Sequence, residues 1–104
     1  KQREWAEQQE RWKREEDRRN ADKALAQSRE QLSEVIQKWS AAMSIESFFR
    51  EAEERLAGVE TDRRQALSSR LDLARSMMGT LDPLEFLELW VAPEERYTRQ
   101  YPED

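Results

Sequence analysis

Between Leu25 and Met43 the large apolar side chains recur at intervals of seven, with Leu25, Leu32 and Trp39 on one line and Ile36 and Met43 on a second. Such spacing lays a stripe along a helix and predicts its burial against partner helices. Val35 and Ala42 fall among the same turns, and Ile36, Trp39 and Met43 are expected at the centre of a helical bundle. Upstream, residues 1–24 have no continuous apolar face, yet no Gly or Pro interrupts them, so the helix is expected to run back through them. Their helix signal is electrostatic. Glu7–Arg11, Glu10–Arg14 and Glu15–Arg19 are i,i+4 pairs with the acid on the N-terminal side, each adding about 0.2–0.5 kcal/mol to an isolated helix. An unbroken helix from Lys1 to Met43 would be about 65 Å long at ~1.5 Å per residue, fraying at Lys1.

Three shorter amphipathic segments come after it. Ser44 reads as an N-cap, with Ile45, Phe48, Phe49, Ala52 and Leu56 behind it on one face and Gly58 ending the helix. The alternative is a bend rather than a break at Ser44. Thr61 or Asp62 caps the next helix, in which Leu67, Leu71, Ala74 and Met78 recur at helical spacing, widened by Leu73 and Met77 and closed by Gly79. Asp82, Pro83 and Glu85 form the sharpest boundary signal: cap, first helical position and capping-box partner. The segment from Leu84 to Val91 is apolar on most sides and is expected to be a largely buried helix. Pro93 stops it, and the tail is expected to add one helical turn before fraying beyond Pro102.

The predicted fold class is therefore all-α: a long, charged, coiled-coil-like N-terminal helix leading into a small three- or four-helix bundle. The expected divisions are a projecting helix over 1–24, a bundle over 25–92 and a tail over 93–104. Charge alternates along the chain. Residues 1–24 hold 8 basic against 7 acidic side chains, 25–62 hold 4 against 8, 63–80 hold 4 against 1, and 81–104 hold 2 against 7. That alternation predicts pairing between segments. With no Cys and no His, the chain lacks thiolate or imidazole nucleophiles and bases and the usual zinc ligands. No Gly-rich phosphate loop is present, and the lysines lie on the charged long helix, a poor setting for a desolvated amine. No catalytic, cofactor-binding or metal-binding residue is assigned, and the chain is expected not to be an enzyme. No apolar run reaches the roughly 20 residues that span a bilayer, and a cytoplasmic, non-membrane location is expected. The chain opens on Lys1, which is read as a piece of a longer protein.

The candidate contact residues are Trp5, Trp12, Leu25 and Leu32. Large aromatics on an otherwise polar helix are the residue type that anchors interfaces. They point to a homodimer or to contact with the rest of a parent protein, and the expected function is protein–protein association. The alternative is an accessory nucleic-acid-binding module using Arg11, Arg14, Arg18 and Arg19. It is disfavoured because Glu10, Glu15, Glu16 and Asp17 interleave with them and cancel the local field, and the net charge is -5. The four arginines of the segment from Asp62 to Gly79 lie at the two margins of its apolar face, Arg63 and Arg70 on one and Arg64 and Arg75 on the other. That placement suits covering apolar surface while pairing with neighbouring acids.

From Glu30 onward the pattern Leu32…Trp39-x2-Ala42-x2-Ile45-x2-Phe48, followed by Leu81-Asp82-Pro83-Leu84, resembles the C-terminal region of a group of uncharacterised bacterial proteins. In that group a Glu/Arg-rich coiled-coil stretch with scattered Trp precedes a small helical domain near a Leu-Asp-Pro-Leu signature, and Trp5–Arg19 is similar in character. The resemblance implies a bacterial, cytoplasmic parent and carries no assigned site residue.

Overall fold

A computed structural model describes residues 2–79 and 82–102 of the chain. Lys1, Leu81 of the tetrapeptide and the two residues after Pro102 lie outside the described residues. Among the described residues four helices occur in order: α1 over Gln2–Leu56, α2 over Thr61–Met78, α3 over Pro83–Glu88 and α4 over Pro93–Arg96. The class is all-α, as the periodicity predicts, with the long charged helix first and shorter helices after it. Among the described residues there is no strand, and no helix is long and apolar enough to cross a membrane.

α1 runs for 55 residues and passes through Ser44 without a break. The capping potential of Ser44 is overridden because no Gly or Pro forces the chain out of the helix there. The buried stripe also continues in phase across it, through Ala42, Ile45 and Phe49. The helix ends where Gly58 and Val59 donate from their backbone N–H groups to the carbonyls of Arg55 and Leu56. α2 begins with Glu60, not Thr61 or Asp62, as its N-cap, and Glu60 caps with no side-chain bond. Gly79 takes φ 71 at the far end, a conformation that disfavours any side chain. Asp82 caps α3 as expected, accepting from the Leu84 N–H at 3.1 Å.

α3 stops at Glu88, three residues short of the predicted Val91. Beyond Glu88 the backbone groups of Leu89 and Val91 are bonded to side chains of α1 instead of continuing the helix, and that competition ends it. Nor is α3 largely buried: Leu84 and Leu87 are exposed, and Phe86 is half-buried with the Lys38 ammonium 6.0 Å from its ring centroid. The expected turn after Pro93 is present as α4, its first free N–H, on Ala92, bonded to Glu95 Oε1 at 3.0 Å.

The chain divides into two compact units, unit 1 from residues 1–34 with 89–104 and unit 2 from residues 35–88. These bounds fall after Glu34 and Glu88, while the expected divisions after 24 and 92 rest on the onset of the apolar stripe at Leu25 and on Pro93. In unit 2, Val35, Ala42 and Phe49 are buried on α1, and Leu67, Leu71 and Ala74 are half-buried on α2. Ile36 and Met43, expected at the centre of the core, are exposed, Ile36 at 57%. Trp39 is half-buried and does belong to the stripe. Arg75 behaves as a margin arginine should: it pairs with Glu53 and its guanidinium lies 4.8 Å from the Phe49 ring centroid. Phe48 meets Phe49 edge to face, centroids 5.2 Å apart. Because Phe49 is the large buried side chain of this unit, Phe49→Ala is expected to cost about 3–5 kcal/mol, read from urea unfolding followed by helical circular dichroism. Phe48→Ala, at an exposed position, should cost far less.

Candidate association surface

In unit 1, α1 buries a stripe that contains few large apolar residues. Asp17, Ala21, Ala24, Ser28 and Gln31 recur at i, i+4, i+7, i+11 and i+14, and each is buried or half-buried. Small and polar side chains at this spacing let an extended backbone lie close to a helix. Residues 89–101 do so. Ser28 Oγ donates to the Val91 carbonyl at 2.8 Å, and the Trp90 indole N–H donates to the Ser28 carbonyl at 2.9 Å. Gln31 bonds both backbone sides of the segment, its Oε1 accepting from the Val91 N–H at 2.9 Å and its Nε2 donating to the Leu89 carbonyl at 3.3 Å. Arg96 closes the cluster, donating from Nε to Ser28 Oγ at 2.9 Å and from Nη2 to Gln31 Oε1.

Asp17 anchors the other end. Its side chain is 1% exposed, and its carboxylate accepts four hydrogen bonds. They come from Tyr97 Oη at 2.6 Å, the Gln100 N–H at 2.7 Å, and Arg99 Nε and the Tyr101 N–H, both at 3.2 Å. Burial by itself raises a carboxyl pKa, but here the bonds from Tyr97, Gln100, Tyr101 and Arg99 outweigh it and bring Asp17 from 3.8 down to about 2. The same contact raises the Tyr97 phenol above its ordinary value, because the Asp17 carboxylate favours the protonated hydroxyl and burial adds to it.

The four candidate contact residues separate. Trp5 and Trp12 are exposed on α1, at 65% and 53%. Leu25 lines a shallow pocket shared with Pro93, Tyr97 and Pro102 of the same unit, and Leu32 is half-buried. Of the four arginines read as nucleic-acid candidates, Arg14 is held by Glu10 at 3.0 Å and lies 5.8 Å from the Tyr101 ring centroid. Arg11 lines a polar pocket with Glu7, Glu10 and Arg14, while Arg18 and Arg19 sit on exposed turns of α1, Arg18 with an interaction of its own.

Unit 2 carries an uncovered apolar surface. A groove of about 600 Å³ runs between residues 48–59 and α2. Phe48, Ala52, Leu56 and Val59 line one side, with Leu67, Leu71, Ala74 and Met77 on the other. Arg55, Arg63 and Arg70 also line it, and no acidic residue does. Phe48, Leu73 and Met77 stand 59%, 64% and 77% exposed there. Among the described residues no cluster of three or more acidic side chains could hold a metal ion. Comparison with known proteins matches no family model, no curated protein and no solved structure.

Two outcomes are expected from the tail-binding stripe. Because the folded pKa of Asp17 is depressed, its contribution is fully present above its unfolded value of 3.8 and is lost as pH falls toward about 2. Amide-exchange protection at Gln100 and Tyr101 should therefore fall across that window, and Asp17→Asn should lower it already at pH 7. Gln31→Ala removes the acceptor for Val91 and Arg96, and limited proteolysis should then cut within 89–101 at least several-fold faster, α2 remaining intact.

Proposed function

We propose that the chain is a self-association module, non-catalytic in its own right, that joins copies of itself through unit 2. The observation carrying this proposal is the uncovered groove, where Phe48, Leu73 and Met77 face water around a trough lined by Leu56, Leu67 and Leu71. Contiguous apolar surface of this kind is lowered in free energy by about 25 cal/mol for each Å² that a partner covers. Sporadic exposed leucines need no partner, but an aromatic and two aliphatic side chains flanking one trough form a patch. The exposed pair Trp5 and Trp12 supports the same function from unit 1, since both are large, rigid and amphipathic. The nucleic-acid alternative gains no support from Arg14, whose charge is already met by Glu10.

Light scattering across a concentration series tests this. The mass should rise above the 12.5 kDa of one chain as concentration increases, and Leu73→Glu with Met77→Glu should return it to one chain with helicity unchanged. A mass fixed at one chain up to about millimolar concentration, where even weak complexes of about -4 kcal/mol are populated, overturns the proposal.

A further inference from the structure

The groove has an electrostatic signature that specifies what fits it. Arg63 and Arg70, seven residues apart on α2, make no ion pair or hydrogen bond among the described residues, although Arg75 on the same helix is paired with Glu53 and Arg55 with Glu51. Two unpaired guanidinium groups beside an apolar trough without a carboxylate call for an occupant that is leucine-like on one face and acidic next to it. The same unit presents such an element. On α3, Phe86 is half-buried, and at 100° per residue Leu84 and Glu88 lie opposite it, flanked by Leu87 on one side and Glu85 on the other. Both leucines and both glutamates are exposed.

Resting on the self-association reading, we propose that the groove of one copy takes α3 of a second copy. Leu84 and Leu87 enter between Phe48 and Met77, and Glu85 and Glu88 meet Arg63 and Arg70. The six residues of α3 rise about 9 Å at ~1.5 Å per residue, within the about 12 Å from Phe48 to Leu56. Glu85 and Glu88 are about 5 Å apart in rise and Arg63 and Arg70 about 10 Å, so the two long arginine side chains converge on the glutamates from either end. Each copy carries one groove and one α3, so a two-fold arrangement makes the contact twice and closes without leaving either surface free. Local charge agrees as well, since residues 63–80 carry four basic side chains against one acid and 81–104 two against seven.

Charge reversal tests the pairing, because all four residues are exposed and their substitution leaves the cores of both units untouched. Arg63→Glu with Arg70→Glu in one variant, and Glu85→Arg with Glu88→Arg in another, should each weaken association about tenfold or more by sedimentation equilibrium. Mixed one to one, the two variants should associate again, since reversed groove then meets reversed α3 at one contact and the native pair meets at the other. Association of the unaltered chain should also weaken as salt is raised. If the unaltered chain associates but neither double variant changes its dissociation constant, or if both weaken and the mixture fails to recover, the α3 contact is wrong while self-association stands. If the unaltered chain stays a single copy throughout, both are wrong.

Discussion

A carboxylate removed from water is costly unless hydrogen bonds replace its hydration, and Asp17 is nearly sealed. All its donors come from Tyr97, Arg99, Gln100 and Tyr101, 80 to 84 residues away in sequence. The requirement fixes where those residues lie, and through them the rest of the tail. α4 spaces Arg96 to reach Ser28 and Gln31 while Tyr97 reaches Asp17, and the extended run before it gives its backbone groups to the same two α1 side chains. A one-turn slip of the tail would leave a buried charge and several backbone groups unmatched at once, which is why this polar contact sets register more sharply than an apolar one of equal area.

The two units use opposite physics. Unit 1 is built from short, directional bonds to small and polar residues of α1, and its apolar burial there is slight beyond Ala24. Unit 2 is built from a helical pair with Phe49 and Val35 inside, and it leaves much of its apolar surface in water. Hydrogen bonding gives the first a defined geometry, while the second leaves an apolar groove in water with Arg55, Arg63 and Arg70 along it. α1 serves both by changing the character of one continuous stripe, from Asp17, Ser28 and Gln31 to Ala42, Ile45 and Phe49.

The all-α class, the ends of α2 and α3 at Gly79 and Asp82, the turn after Pro93 and the margin role of Arg75 are legible in the sequence, because each rests on local chemistry or on apolar periodicity. The stripe over 17–31 is not legible that way. A search for large apolar residues finds Leu25 and Ile36, one position and so about 100° around the helix from the buried Ala24 and Val35. Asp17 lies among charged residues whose partners are solvent or neighbours, and nothing local distinguishes it. The signal that could have found it is the alternation of small and polar residues at Asp17, Ala21, Ala24, Ser28 and Gln31, a helix face too small in side-chain volume to be merely solvated. The early end of α3 is hidden for the same reason, since it depends on Gln31, some sixty residues upstream, which donates to the Leu89 carbonyl and accepts from the Val91 N–H.

Unit 2 is nested inside unit 1 along the chain, so the first unit is assembled from residues on both sides of the second. During synthesis residues 89–101 emerge only after all of unit 2 has been made, and until then the Asp17 side of α1 has no donors to meet. Helical and hairpin contacts of low sequence separation form fast, whereas closing a contact across about eighty residues carries a larger loop-closure entropy. Maturation is therefore ordered from the middle outward: unit 2 closes first, and the segment that covers the Asp17 stripe arrives last. For an interval set by the rate of translation, a nascent chain therefore carries all of unit 2 while the Asp17 side of α1 still lacks its donors.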